Sequence, residues 1–401
     1  MNYTPSQKIL ERYADVLINF ALNSGRGIKK GEVIFLRIPE SAKPFYVVLR
    51  NAVLKAGGTY ITAYLPEGTA REHYELASPE QLSFFHHHYH KGLIKQIDHF
   101  VSIIADVDPR ELEGVDPKKL MLASKTYKPA LKWMDDKEHN GRFTWTAALY
   151  ATPAMAKEAG LSLREYWNQI IKSCFLDKQN PIGEWKKIFS KNEVTQKKLN
   201  ALPIESLHIV GDDVDLTVGI GKGRRWLTGM GRNIPSFEIF ISPDWRGTNG
   251  FISFNQPVYR YGTLIEGVSL WFKNGEVIKV KARKGEKLLK EMIATDKGSN
   301  KVGEFSLTDA RVSRITKFMA ETLFDENVGG KYGNTHIALG NAYKDSYTGD
   351  PSKVKKSEWR KLGYNESVVH TDIVSTTNRI VTATLRNGMK KVIYRNGRFT
   401  V

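Results

Sequence analysis

Apolar positions recur at helical spacing from about Pro5 to Leu22 and again from about Ala42 to Ala56, where Gly57-Gly58 stops the second run. Between and beyond these lie short apolar runs of a different kind. They are Glu32-Val-Ile-Phe-Leu-Arg-Ile38, Thr59-Tyr-Ile-Thr-Ala-Tyr-Leu65, Phe100-Val-Ser-Ile-Ile-Ala105 after a long helical stretch, and Phe143-Thr-Trp-Thr-Ala-Ala-Leu149. Strands separated by helices need crossover connections and therefore pair in parallel, so this half predicts an α/β N-terminal domain with a mainly parallel sheet. Helices up to about Ala201 extend it.

The pattern then changes. Asn-Gly pairs stand at 249–250, 274–275, 387–388 and 396–397, three of them between β-rich runs such as Val268-Ser-Leu-Trp-Phe272 and Val277-Ile-Lys-Val280. Asn-Gly tolerates the positive φ that both centre positions of a type I′ turn require, so these pairs predict hairpins. From about residue 203 the pattern predicts an α+β C-terminal domain with a largely antiparallel sheet and a few helices, one near Gly285 to Ala294. The boundary falls near Ala201-Leu-Pro, giving domains 1–201 and 202–401. No internal repeat or low-complexity tract is visible.

A chain of 401 residues is long enough for two domains, and 41% hydrophobic with 26% charged residues excludes disorder as its main state. The single cysteine, Cys174, excludes a disulfide scaffold and a thiolate metal site. The opening MNYTPSQKIL lacks the layout of a signal peptide, and no window holds 18 uninterrupted apolar residues, so a cytoplasmic protein with no membrane partner is expected. The net charge of +17 is spread along the whole chain. A nucleic-acid binder concentrates Lys and Arg on one face to collect phosphates, so the spread argues against that partner and for a solvated basic surface.

Histidine is scarce, at 10 residues. The densest group, His86-His87-His88 with His90, falls in a helical stretch where adjacent side chains diverge, and it reads as an exposed polar patch. Gly219-Ile-Gly221-Lys-Gly223 lacks the spacing of a phosphate loop and reads as a turn. The C-terminal third is richer. Pro235 and Pro243 bracket a short strand centred on Glu238, whose neighbours Phe237, Ile239 and Phe240 are apolar; a buried carboxylate there needs a cation or a metal, the alternatives being an exposed strand end or an ion pair with Arg232. Glu304 has similar company, and Glu326 follows in Leu323-Phe-Asp-Glu326-Asn. In Thr335-His336-Ile-Ala-Leu-Gly-Asn-Ala-Tyr343, helical geometry would put His336 and Tyr343 on one face. In the strand Val369-His370-Thr-Asp372-Ile-Val, His370 and Asp372 point the same way. Each feature alone also suits a satisfied polar residue in a core. Together they offer carboxylates and imidazoles, no sulfur, and more donors than one tetrahedral ion takes, a set that suits two divalent ions sharing a carboxylate.

Six ordered blocks carry a family resemblance: Ile234-Pro-Ser-Phe-Glu238, Gly262-Thr-Leu-Ile-Glu-Gly267, Gly303-Glu304, Leu323-Phe-Asp-Glu-Asn327, His336-Ile-Ala-Leu-Gly340 with Tyr343, and His370-Thr-Asp372. They resemble the M29 family of metalloaminopeptidases, and the likeness runs through Asp215-Leu-Thr-Val-Gly219 and, more loosely, the first half. The resemblance implies a metal-dependent aminopeptidase with peptide substrates. Its metal ligands fall on Glu238, Glu304, Glu326, His336, His370 and Asp372, and its functional tyrosine on Tyr343. It implies two divalent metal ions per chain, zinc, cobalt or similar, with Glu304 as the bridging ligand, an activated water as nucleophile, and Tyr343 donating to the oxyanion. It also implies a homodimer with an enclosed cavity. The stretch between Glu326 and His336 is longer than in the typical member. The rival readings are another dinuclear metallohydrolase, an amidase or phosphoesterase, and a non-catalytic basic nucleic-acid-binding protein.

Overall fold

The apolar runs of the first half become the strands of one sheet in the computed structural model of the chain, which describes residues 3–229 and 231–401. Their order is Thr59–Leu65, Val33–Pro39, His99–Ile104, Thr144–Leu149 and Asn233–Ile234, with every neighbouring pair parallel. The sheet belongs to a first unit formed by the chain up to Lys187 with Gly229–Ser236 and Met319–Leu323. The helix Lys43–Lys55 is the crossover between the first two strands and buries Phe45, Val48, Leu49 and Val53. The first helix is shorter than its apolar pattern. Ser6 caps it, the α-helix runs Gln7–Val16, and a π-helical turn over Leu17–Ala21 leads to Asn23 and Ser24, both left-handed. The long helical stretch before His99 divides into Ala70–Leu76, Pro79–Leu82 and His87–Gln96, because Ser78 and Gln81 form a capping box that starts a new helix at Pro79.

The chain passes into the second unit within the helix Pro181–Asn200. This unit holds two antiparallel sheets. The larger has eight strands in the order Glu276–Lys281, Ser269–Lys273, Asn249–Ser253, Val214–Gly219, Ile204–Gly211, Ile380–Leu385, Lys390–Arg395 and Arg398–Phe399. The smaller has five: His370–Ser375, Asn334–Gly340, Val302–Thr308, Glu238–Ile241 and Leu227–Thr228. Ile209, Leu216, Leu270 and Val381 of the larger sheet share one core with Ile239, Phe305, Leu307, Ile337, Leu339 and Ile373 of the smaller.

Asn274-Gly275 and Asn396-Gly397 have positive φ at both positions, 51° and 84°, then 51° and 72°, and close the expected type I′ hairpins. At 387–388 only the glycine is left-handed. A four-residue loop joins the strands there, with the Gly388 N–H donating to the Leu385 carbonyl. Asn249-Gly250 opens a strand and makes no turn. Its glycine is required because a Cβ would stand 2.1 Å from the Asp215 carbonyl oxygen. The expected helix appears as Glu286–Ile293, and Gly219–Gly223 is a turn after a strand. The helical possibility for 335–343 is corrected: Asn334–Gly340 is a strand, because His-Ile-Ala-Leu-Gly alternates with period two and sends Ile337 and Leu339 to the core. Among the described residues no helix is long and apolar enough to cross a membrane.

Candidate metal centre

Strand alternation divides the five-stranded sheet into two unlike faces. Ile239, Phe305, Leu307, Ile337, Leu339 and Ile373 point into the core. The residues between them in sequence, Glu238, Glu304, His336, His370 and Asp372, share the other face. Register brings them together. His336 pairs with Ser306, Glu238 with Thr308, Asp372 with Ala338 and His370 with Gly340, while Glu304 also stands opposite Ala338. Ser306, Ala338 and Gly340 are small, which leaves room above the sheet for the longer carboxylates and imidazoles around them.

The donor atoms converge. His336 Nε2 lies 3.2 Å from Glu238 Oε2, 3.4 Å from Glu304 Oε1 and 3.9 Å from Asp372 Oδ1. His370 Nε2 lies 3.5 Å from Asp372 Oδ1 and 3.6 Å from Glu304 Oε2. Two groups of donors, Glu238-Glu304-His336 and Glu304-His370-Asp372, each keep their ligand atoms within 4.8 Å of one another. Glu304 belongs to both, one carboxylate oxygen facing each imidazole.

Both imidazoles are oriented from behind. His336 Nδ1 is 3.2 Å from the Glu326 carbonyl and His370 Nδ1 is 2.9 Å from the Asn341 carbonyl. A carbonyl only accepts, so each Nδ1 carries a hydrogen and each Nε2 faces the carboxylates. Ser306 Oγ donates to Glu238 Oε2 at 2.9 Å and steadies that carboxylate.

Glu238, Glu304, Glu326 and Asp372 are between 3% and 7% exposed, and His336 is 1% exposed. Burial, opposed by the His336 hydrogen bond and reinforced by Glu238, raises Glu304 to about 7. Burial, with the charges of Asp372 and Glu238, pushes Glu326 well above the carboxylate range. For His336, burial is outweighed by hydrogen bonds donated to Glu238 and Glu304, which hold its proton well above the usual range. For His370, burial is outweighed by Asp372 and Glu304, leaving it at about 9. Asp372 is held below its ordinary range, since His370 and His336 overcome its burial. Burial thus raises Glu304 and Glu326, while the carboxylates hold protons on the two imidazoles and the imidazoles in turn keep Asp372 ionised. Divalent ions fit such a place, because they displace the protons and neutralise the carboxylates, and the all-oxygen-and-nitrogen donor set suits zinc, cobalt or manganese.

Glu326 follows the short helix Thr322–Asp325 and is buried within the electrostatic reach of Asp372, Glu238 and His336, although it belongs to neither close group. Tyr343 follows the His336 strand. Its N–H donates to Ser242 Oγ at 2.8 Å, and its ring meets His370 edge-on at 5.0 Å. Arg232, the ion-pair alternative for Glu238, donates to Glu138 at 2.8 Å. His86, His87 and His88 lie exposed on their helix. Sequence reasoning did not mark Ser306, the Asn341 carbonyl or Arg260, whose Nη2 donates to the His370 carbonyl at 3.1 Å. Ser306 carried a signal, two positions beyond Glu304 on the same strand face. The others depend on which strands become neighbours.

Comparison with known proteins agrees with this geometry. Residues 6–399 match the model of the thermophilic metalloproteases (M29). Aminopeptidase T of Thermus thermophilus is 30% identical over 98% of both chains, and aminopeptidase PepS of Streptococcus thermophilus is 27% identical, again over 98% of both. The solved structure of wild-type AmpT from Thermus thermophilus superposes with a TM-score of 0.83 at 27% identity, covering 98% of this chain and 100% of that one. A match spanning nearly every residue, over a fold whose small sheet gathers carboxylates and imidazoles, places the chain in the M29 family of metalloproteases, which are hydrolases.

Proposed function

We propose that the chain is an aminopeptidase that releases N-terminal residues from peptides at a dinuclear metal site. The single observation that carries the reading is the sharing of Glu304 by two donor groups, each able to hold one ion. Glu238 and His336 would hold the first ion, His370 and Asp372 the second, and Glu304 both, with Glu326 completing the carboxylate set. All lie within residues 202–401, the proposed catalytic domain. Two divalent ions there would polarise the scissile carbonyl and lower the pKa of a water toward neutrality, so that it acts as the nucleophile.

The protein's own contribution is orientation and charge. The carbonyls of Glu326 and Asn341 hold each Nδ1–H, so that each Nε2 would ligate an ion once its proton is displaced. The Tyr343 phenol, beside the His370 ring, donates to the oxyanion that forms as the peptide carbonyl is attacked. The aminopeptidase names of the related chains support a substrate with a free N-terminus. A homodimer with an enclosed cavity, in the cytoplasm, belongs to the same proposal.

The test is metal content measured beside peptidase activity. The protein is expected to retain two ions per chain, to lose hydrolysis on chelation and to regain it with Zn²⁺ or Co²⁺, and to leave N-acetylated peptides intact. Full activity in protein shown by elemental analysis to be metal-free would overturn the reading.

A further inference from the structure

Beside the metal centre stands a guanidinium that makes one hydrogen bond to the protein and keeps its Nε buried and unmatched. Arg260 ends the strand Val258–Arg260, which forms a hairpin with Thr263–Ile265. Val258 and Ile265 root the hairpin in the core, and the left-handed pair Tyr261-Gly262, with φ of 49° and 73°, closes its tip. The side chain therefore projects from a rigid base. Nη2 donates to the carbonyl of His370, 3.1 Å away, and the charge is felt by the Asp372 carboxylate. Nε is buried without a hydrogen-bond partner.

A guanidinium carries five donors in a fixed fork shaped for a carboxylate. Leaving such donors unmatched in a partly buried place costs stability, and the arrangement persists most readily where a ligand supplies the acceptor. Its charge points the same way, because a guanidinium pairs with a carboxylate through charge-assisted, bidentate hydrogen bonds. We propose that Arg260 is the anchor for a carboxylate of the bound substrate, which makes it a specificity-determining residue. The inference rests on the aminopeptidase reading and adds a substrate class to it. The carboxylate has two possible sources, the C-terminus of a very short peptide or an acidic side chain next to the scissile bond. A dipeptide's C-terminus lies one residue beyond the scissile carbonyl, a reach of about 3.8 Å between α-carbons.

The test compares wild type, Arg260→Gln and Arg260→Lys, each with its metal content measured, on Leu-Gly, Leu-Gly amide and Leu-Glu amide. Wild type is expected to favour a carboxylate-bearing substrate over Leu-Gly amide by about tenfold or more in kcat/KM, mainly through KM. The Gln variant is expected to erase that preference at unchanged metal content, and the Lys variant to keep part of it. A preference for Leu-Gly identifies the C-terminal carboxylate, and one for Leu-Glu amide the side chain. Equal losses on all three substrates, or an unchanged preference in the Gln variant, would overturn the assignment. Calorimetric binding of D-Leu-Gly and its amide reads the same preference without turnover. A protein that cleaves no peptide yet binds the acid over the amide through Arg260 would overturn the peptidase reading alone.

Discussion

Two histidine groups in this chain look alike in composition and differ in everything that makes a ligand. His86, His87, His88 and His90 place four imidazoles in five positions at the start of the helix His87–Gln96. Their partners are aromatic: His90 stacks on Phe85 with ring centres 5.2 Å apart, and His87 meets Trp133 edge-on at 5.1 Å. His336 and His370 sit on separate strands, yet each has Nδ1 tied to a backbone carbonyl and Nε2 among buried carboxylates. Density along the sequence is not density in space. A helix spreads consecutive side chains around its axis, whereas a sheet stacks the same face of neighbouring strands, and only the second arrangement focuses donors on a point.

The sharpest way to break this contrast is at the residue both donor groups share. Glu304→Gln removes a charge common to both and is expected to lower metal occupancy at both positions and the rate by about a thousandfold or more. His370→Ala removes a donor from one group only and should weaken one position. Elemental analysis with kinetics separates them, and a fully active Glu304→Gln enzyme would end the shared-ligand reading. Tyr343→Phe deletes only a hydroxyl and keeps every carboxylate and imidazole, so turnover should fall about a hundredfold with bound metal unchanged. Normal turnover would return Tyr343 to a packing role against Phe240 and His370. The smallest effect belongs to the other histidine group. Replacing His86, His87, His88 and His90 together by Ala should leave metal content and kcat as they are, with about 0.5 kcal/mol or less lost at each of the exposed positions 86–88 and somewhat more at the half-buried His90. Loss of a bound ion in that variant would make the helix group a ligand set after all.

Much of this was legible from local pattern. The apolar runs between helices announced a parallel sheet, and Asn-Gly at 274–275 and 396–397 announced type I′ turns, since both depend on short-range sterics. His370 and Asp372 could be placed on one face because a strand's period is two. The His336 strand was open to misreading because its conditional partner, Tyr343, lies beyond the strand's end, although Ile337 and Leu339 already carry the alternation.

Period two, however, says which side of its own strand a residue takes and nothing of which strand lies beside it. Glu238, Glu304, His336 and Asp372 come from four segments spread over more than a hundred residues, and their meeting depends on a register fixed by long-range pairing and by the apolar face that must be buried. The small residues Ser306 and Ala338, the carbonyls behind the two imidazoles, and the placing of Arg260 against the His370 strand follow from that register. The sequence by itself determined the donor chemistry and the face each donor takes on its own strand. Only the tertiary structure decided that the faces coincide, because the free energy that aligns the strands comes from burying the opposite face and from pairing the backbone, and neither is a property of any one segment.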